Sequence, residues 1–253
     1  MLLLIDAGNT RIKWALVDTN QAPQLGEWAQ FGSISHQEFA DEATPWSGFV
    51  VQRAVVSNVA GSALRTQLAE SLQRQNIPVE WLVSQAACAG IKNQYRDPTQ
   101  LGCDRFATAI AAHALFPDQA FIVATCGTAT TIDAVTAEGI FIGGMIAPGL
   151  KLMAQSLAQN TAQLPSVLAS ASMTAHFANY TEAAIVSGCL AAQAGAIELA
   201  VRNFSAMPDL NTAMPPLCIV SGGAAKYIIP SLGIPHRSVD NLVLIGLQVI
   251  ASC

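Results

Sequence analysis

The chain has 253 residues, enough for one large domain or two small ones. Hydrophobic residues make up 52% and charged residues only 11%, which excludes a disordered chain and leaves a surface that is neutral and polar or covered by a partner, in the first place further copies of the chain in a homo-oligomer. Twelve Lys and Arg against 17 Asp and Glu give a net charge of −5 with no basic block, which excludes a nucleic-acid partner, because that affinity comes mainly from cations that neutralise phosphates.

In chain order, LLLIDAGNTRIKWALVD reads as a strand, a Gly-centred turn and a second strand. The chain reaches Asp6 after five residues and is expected to lack both a secretory signal and a membrane span, and so to be cytoplasmic. RAVVSNVA (Arg53 to Ala60) predicts a buried strand, ALRTQLAESLQRQ (Ala63 to Gln75) an amphipathic helix and VEWLV (Val79 to Val83) another strand. A helix of small residues follows from about Asp104 to Leu115.

FIVATCGTATTIDAV then echoes the opening hairpin. Aligning Gly8 with Gly127 places Asp6 on Thr125 and Ile12 on Thr131, an offset of 119, close to half the chain. IFIGGMIAPGL reads as a strand and a turn, Lys151 to Gln159 and Tyr180 to Phe204 as helices, and LCIVSGGAAKYI as a strand, a Gly pair and a helix start. NLVLIGLQVIA is a last helix or strand. Alternating strands and helices predict α/β layers, and the echo predicts two related halves, 1–117 and 118–253.

Several stretches carry candidate chemistry. In Asp6-Ala7-Gly8-Asn9-Thr10-Arg11-Ile12-Lys13, an acid ends a buried strand, where it is unfavourable unless it binds something. Gly8 lets backbone approach a ligand, Asn9 and Thr10 offer donors and Lys13 a cation. The set suits a polyphosphate with Mg²⁺ near Asp6, and equally a plain hairpin with a solvated Asp. Thr125-Cys126-Gly127-Thr128-Ala129-Thr130-Thr131 has the same shape; it suits the other side of the phosphates or a Thr-rich edge strand. Gly143-Gly144 and Ser221-Gly222-Gly223 are further points of close approach, the latter at a strand–helix junction.

In Leu101-Gly102-Cys103-Asp104-Arg105, Asp104 can accept a proton from a substrate hydroxyl while Arg105 grips an anion with its two-pronged fork. The same pair also suits a helix start with an acid on its dipole and a surface cation. Tyr95 lies just upstream, placed to close over a small substrate. The six Cys are scattered without CxxC, and His36, His113, His176 and His236 lack metal spacing. These are the marks of reduced thiols used as small core residues, and His113 reads as core or interface.

Taken together, DAGNTRIK, Tyr95…Pro98…Leu101-Gly-Cys-Asp-Arg105, CGTATTID, GGMIAPG, Leu164-Pro165, Thr181…Ser187-Gly188 and SGG resemble the type III pantothenate kinases (the Bvg accessory factor-like family) in order and approximate spacing over essentially the whole chain. The resemblance implies two related ribonuclease H-like lobes of the actin-like ATPase kind around a nucleotide cleft, and ATP-dependent phosphorylation of pantothenate at the first step of coenzyme A synthesis. It implies that Asp6, Ala7, Gly8, Asn9, Thr10, Arg11, Ile12, Lys13 and Thr128 bind ATP with Mg²⁺, and that Asp104 is the proton acceptor. Tyr95, Gly102, Cys103, Asp104, Arg105 and Thr181 would bind pantothenate, and the chain would be a homodimer. Another small-molecule kinase of the same superfamily would share the hairpins but lacks a reason for the Tyr95…Asp104-Arg105 grouping. An accessory role in transcription is a third reading, which the acidic balance opposes. One residue departs from the family. Where its members usually carry an Asp that helps to hold a monovalent cation such as potassium or ammonium, this chain has Thr125, which keeps an oxygen and loses the charge.

Overall fold

β1 (Leu2–Ala7) is apolar along nearly its whole length because it is covered on both faces. In the computed structural model, which describes residues 1–20, 24–41, 44–161, 165, 177–208 and 214–253, β1 pairs antiparallel with β2 (Arg11–Val17). Two further strands and a helix follow: β3 (Gln30–Ser35), α1 (His36–Asp41) and β4 (Arg53–Asn58), the last of which pairs parallel with β1. With α2 (Ser62–Arg74) and β5 (Val79–Trp81) the first sheet is complete, in the order β3-β2-β1-β4-β5. Leu64, Leu68 and Leu72 recur every four residues on α2 and bury one stripe against Leu3, Ile5, Ile12, Leu16 and Trp46. The short hairpin of β6 (Ala87–Cys88) and β7 (Ile91–Asn93) precedes α3 (Cys103–Leu115), which is buried almost all round.

The second unit, Asp118–Asp240, repeats this plan. Its elements are β8 (Phe121–Cys126), β9 (Ala129–Val135), β10 (Ile140–Pro148), α4 (Leu150–Asn160), α5 (Thr181–Ser205), β11 (Leu217–Ser221), α6 (Ala225–Ile228) and β12 (Arg237–Ser238). Its strands run in the order β12-β11-β8-β9-β10, the counterpart of β5-β4-β1-β2-β3, and β8 again pairs antiparallel with the second strand and parallel with the fourth. The second hairpin is one residue shorter. Ala7 faces Ile12 across the first, whereas Cys126 faces Thr130 across the second, so Ile12 answers to Thr130 and not to Thr131.

By length and composition alone α5 could cross a membrane, with a mean hydropathy of 1.6 over its best window. In this fold Ile185, Cys189, Leu190, Ile197 and Phe204 are buried in the core of the second unit. The opposite face exposes small residues, among them Ala184, Gly188, Ala191, Ala192 and Gly195.

One expectation about domain membership is corrected. Residues 241–253 group with Met1–Pro117 rather than with the second half. They form α7 (Leu242–Ile250), settled as a helix rather than a strand. Leu244 and Leu247 pack with Leu2, Leu4, Ala15, Val17 and Val55. Gly246 lies so close to α3 that a Cβ there would collide with the Ala107 carbonyl. The Gln248 amide accepts from the Gly26 N–H at 3.1 Å and from the Trp28 indole at 3.0 Å, fastening the helix to the β2–β3 connection. This attachment is tertiary, so chain order alone misplaces the helix.

Candidate active site

The C-terminal ends of parallel strands are where α/β sheets bind ligands, and the first unit gathers its chemistry there. Asp6, at the end of β1, faces Lys13 on β2 and Ser57 on β4. Burial pushes the Asp6 carboxyl up to about 7; the Lys13 ammonium pulls it down and the Asp104 carboxylate adds to the rise. Cys103, the first residue of α3, lies 3.3 Å from the Ser57 hydroxyl, and its thiol donates to the Asn58 carbonyl at 3.5 Å. The sulfur thus pins the start of α3 to the end of β4, and burial raises the thiol above its ordinary range.

The pinned helix start sets Asp104. Its carboxylate accepts from the Arg105 N–H at 2.8 Å, and burial pushes its titration above the usual carboxylate range. Gly102 leaves the room, since a Cβ there would stand 2.6 Å from Asp104 Oδ1. The Arg105 side chain is buried, and its Nη1 donates to the Tyr95 hydroxyl at 2.8 Å. The guanidinium carbon also lies over the Tyr95 ring, 5.6 Å from its centroid, at the outer limit of a cation–π contact. Tyr95 is itself held, because its N–H donates to Asn93 Oδ1 at 3.0 Å while the Asn93 amide donates to the carbonyls of Gln85 and Pro98.

The loop between β1 and β2 is tight. The Gly8 N–H donates to the Arg11 carbonyl at 3.1 Å, leaving Asn9 and Thr10 exposed at the tip. The Arg11 guanidinium turns to β3, donating from Nε to Ser33 Oγ at 2.7 Å and from Nη2 to the Ser33 carbonyl at 3.0 Å. Ala7 and Ile12 are fully buried, so their side chains belong to the core and only their backbone is available to a ligand. His36 Nε2 meets the Gly8 carbonyl at 2.9 Å. In the sequence His36 reads only as a histidine without metal spacing, although the pattern Ser35-x-x-Glu38 beside it is a readable helix-start signal.

In the second unit, Thr125 ends β8 opposite Thr131 and beside Ser221. The hydroxyls of Thr130 and Thr131 are buried without a hydrogen-bond partner. Thr128 is exposed at the hairpin tip, and its carbonyl accepts from the Gly149 N–H at 2.9 Å. The close approaches fall partly elsewhere than expected. Gly143 lies at a β-bulge with open space around it, and Gly223 also faces open space. Gly149 and Gly222 instead press on the backbone of the β8–β9 hairpin, where a Cβ would collide with the carbonyls of Gly127 and Cys126 respectively. Thr181 is the exposed first residue of α5. Leu164 and His176 lie outside the described residues.

The first unit therefore brings Asp6, Lys13, Cys103 and Asp104 to one strand end, with Arg105 and Tyr95 adjoining; Thr125, Thr128 and Thr181 belong to the second. Among the described residues no group of three or more His, Cys, Asp or Glu is placed to hold a metal ion. A divalent ion carried in with phosphates nevertheless suits Asp6, because a second positive charge beside Lys13 would offset the burial that raises its carboxyl.

A sequence model of the type III pantothenate kinases matches residues 2–203. A type III pantothenate kinase from Herminiimonas arsenicoxydans is 55% identical over 254 residues, covering 99% of this chain and 97% of the relative. Among solved structures, one assigned to the Baf family of transcriptional activators from Campylobacter jejuni aligns with a TM-score of 0.60 at 20% identity, over 99% of this chain and 97% of its own. An activator of 2-hydroxyisocaproyl-CoA dehydratase from Clostridium difficile with bound ADPNP aligns with a TM-score of 0.53 at 11% identity, over 99% and 94%. At such identities the two structures establish the fold, that of the actin-like ATPases and sugar kinases.

Proposed function

The chain belongs to the type III pantothenate kinase family, and from that premise we propose how its residues divide the work of phosphorylating pantothenate with ATP at the start of coenzyme A synthesis. Phosphoryl transfer passes through a loose transition state, so the protein contributes alignment and charge compensation more than covalent chemistry. The observation that carries the assignment is the pairing on α3 of a carboxylate raised by burial, Asp104, with the buried guanidinium of the next residue at the Tyr95 hydroxyl.

Pantothenate has a primary hydroxyl at one end and a carboxylate at the other. Arg105, a fixed cation with Tyr95 beside it, holds the carboxylate, and Thr181 assists. Asp104 accepts the proton of the hydroxyl as its oxygen attacks phosphorus. Gly102 leaves the carboxylate its room, and Cys103 keeps the helix start in place. The backbone of the Asp6–Lys13 hairpin and Thr128 bind the phosphates of ATP, with Lys13 compensating their charge. Mg²⁺, when bound, would neutralise phosphate oxygens, and Asp6 is the residue that would hold it or its waters.

Thr125, Thr131 and Ser221 supply hydroxyls and no charge, so we read a potassium or ammonium ion there as dispensable to turnover. The exposed small-residue face of α5 and the low charge content support a homodimer, and we read the scattered, unpaired cysteines as those of a cytoplasmic protein.

The test is pantothenate-dependent ADP release from Mg²⁺-ATP, with and without potassium. Asp104→Asn is expected to lower kcat by roughly 10²–10⁴-fold with little change in the pantothenate KM. Near-normal turnover by that variant would remove Asp104 as the base, and ADP release indifferent to pantothenate would overturn the acceptor.

A further inference from the structure

We propose that His36 is a positioning residue for the phosphate-binding loop, holding the Gly8 carbonyl so that the next peptide N–H, that of Asn9, faces the nucleotide. The inference rests on the reading above that this loop binds ATP.

A carbonyl oxygen only accepts, so the 2.9 Å contact requires the hydrogen to be on His36 Nε2. The peptide between Gly8 and Asn9 is planar and trans, which points its N–H opposite to its C=O. Fixing the oxygen on the imidazole therefore aims the Asn9 N–H away from α1. The Gly8 N–H is already committed to the Arg11 carbonyl within the turn. The next peptide donor along the loop is the Asn9 N–H, and its direction depends on how the Gly8–Asn9 plane is held.

The imidazole stands on a firm base. His36 opens α1 directly after Ser35, whose N–H donates to Glu38 Oε2 at 2.5 Å while the Glu38 N–H donates to Ser35 Oγ at 3.1 Å. This reciprocal pair ties down the helix start from which the ring projects. The far end of the loop is tied to the same corner through Arg11 and Ser33.

The second unit does the same work at the same place by other means. Gly149, at the junction of β10 and α4, corresponds to the junction of β3 and α1, and its N–H donates to the Thr128 carbonyl at 2.9 Å. There the helix start presses directly on the hairpin. In the first unit the contact between helix start and hairpin is made by a side chain, the His36 imidazole on the Gly8 carbonyl.

The experiment compares His36→Phe, which keeps a ring without a donor, with His36→Gln, whose amide reaches a similar distance and donates. The expected result is an ATP KM raised roughly 3- to 10-fold in the Phe variant, the range of one lost hydrogen bond, with the pantothenate KM unchanged and most of the loss recovered in Gln. Calorimetric titration with a non-hydrolysable ATP analogue is expected to show the same ratio. An unchanged ATP KM in the Phe variant, or equal rises in both KM values, would overturn the proposal and leave His36 a structural part of the corner. Should His36→Phe not fold, His36→Asn, too short to reach Gly8, stands in its place against Gln. Wild-type protein that turns over but binds the analogue away from the loop would overturn the reading of the loop itself, and this inference with it.

Discussion

The two units share a strand order and differ in how each secures its hairpin. In the first, the strand ends carry a charged pair, Asp6 opposite Lys13, and the loop is fastened by side chains, His36 on Gly8 and Arg11 on Ser33. In the second, the corresponding pair is Thr125 opposite Thr131, and the fastening is backbone against backbone at Gly149 and Gly222. Side-chain fastenings orient a loop with little effect on the core and tolerate replacement in steps. Backbone contact at glycine fixes position more firmly and admits no side chain at all. The halves of one scaffold have thus divided in character, the first carrying the charge and the second the rigid contact.

Breaking that contrast at its strongest point gives the largest expected effect. Gly149→Ala places a methyl against the Gly127 and Thr128 backbone, which has no flexible end to move aside. Denaturant unfolding is expected to show a loss of more than about 3 kcal/mol, and Gly222→Ala a similar one. In Gly8→Ala the new Cβ stands 3.3 Å from the Arg11 carbonyl, a tight contact without overlap; the expected loss is about 1 kcal/mol or less. Equal losses at Gly8 and Gly149 would show that the two hairpins are secured alike.

The elements legible in the sequence were those whose burial is periodic or continuous. β1, β2, β4 and β8 are apolar runs, and α2 shows its four-residue stripe plainly. β3 was not legible because QFGSIS is a polar edge strand with a glycine in it, and α1, β6, β7 and β12 are too short to show a period. VLIGLQVI is apolar at every position but one, so it fits a strand or a helix until its neighbours are known. At the site, Asp104 and Arg105 stood out because charge next to an apolar helix is conspicuous. His36 gave no such signal, because its partner is a backbone carbonyl 28 residues away and no side-chain pattern records that meeting.

The charged pair of the first unit gives the next effect in size. Burial raises Asp6 from 3.8 to about 7, so the folded protein holds that proton more tightly than the unfolded chain. The stability so contributed is fully present below about pH 4 and is lost as pH rises through 7. Asp6→Asn removes the titration. In the absence of nucleotide and Mg²⁺, the variant is expected to gain on the wild type between pH 4 and pH 8 by about 2 kcal/mol, less than the roughly 4 kcal/mol that the full shift converts to, because Asp6 keeps some contact with solvent. Stability curves that run parallel in pH would show that Lys13 compensates Asp6 completely and that the two hairpins differ less than their residues do.

The smallest effect comes from the reverse exchange, Thr125→Asp, which gives the second hairpin the acid of the first without its lysine. The new carboxylate would lie opposite Thr131, whose hydroxyl is buried without a partner, and beside Ser221. Two hydroxyl donors offset part of its desolvation but supply no charge. The expected cost is about 1 kcal/mol at pH 8, falling as the group takes up its proton toward pH 5. Potassium is expected to recover part of the loss at pH 8, and tetramethylammonium at equal ionic strength is not, because a compact ion fits among three oxygens and a bulky one only screens. A loss independent of pH and indifferent to the cation would mean that the carboxylate turns out to solvent. The strand end of β8 would then lack the enclosure that makes Asp6 a site at the end of β1, and the difference between the two hairpins would lie in their surroundings as well as in their side chains.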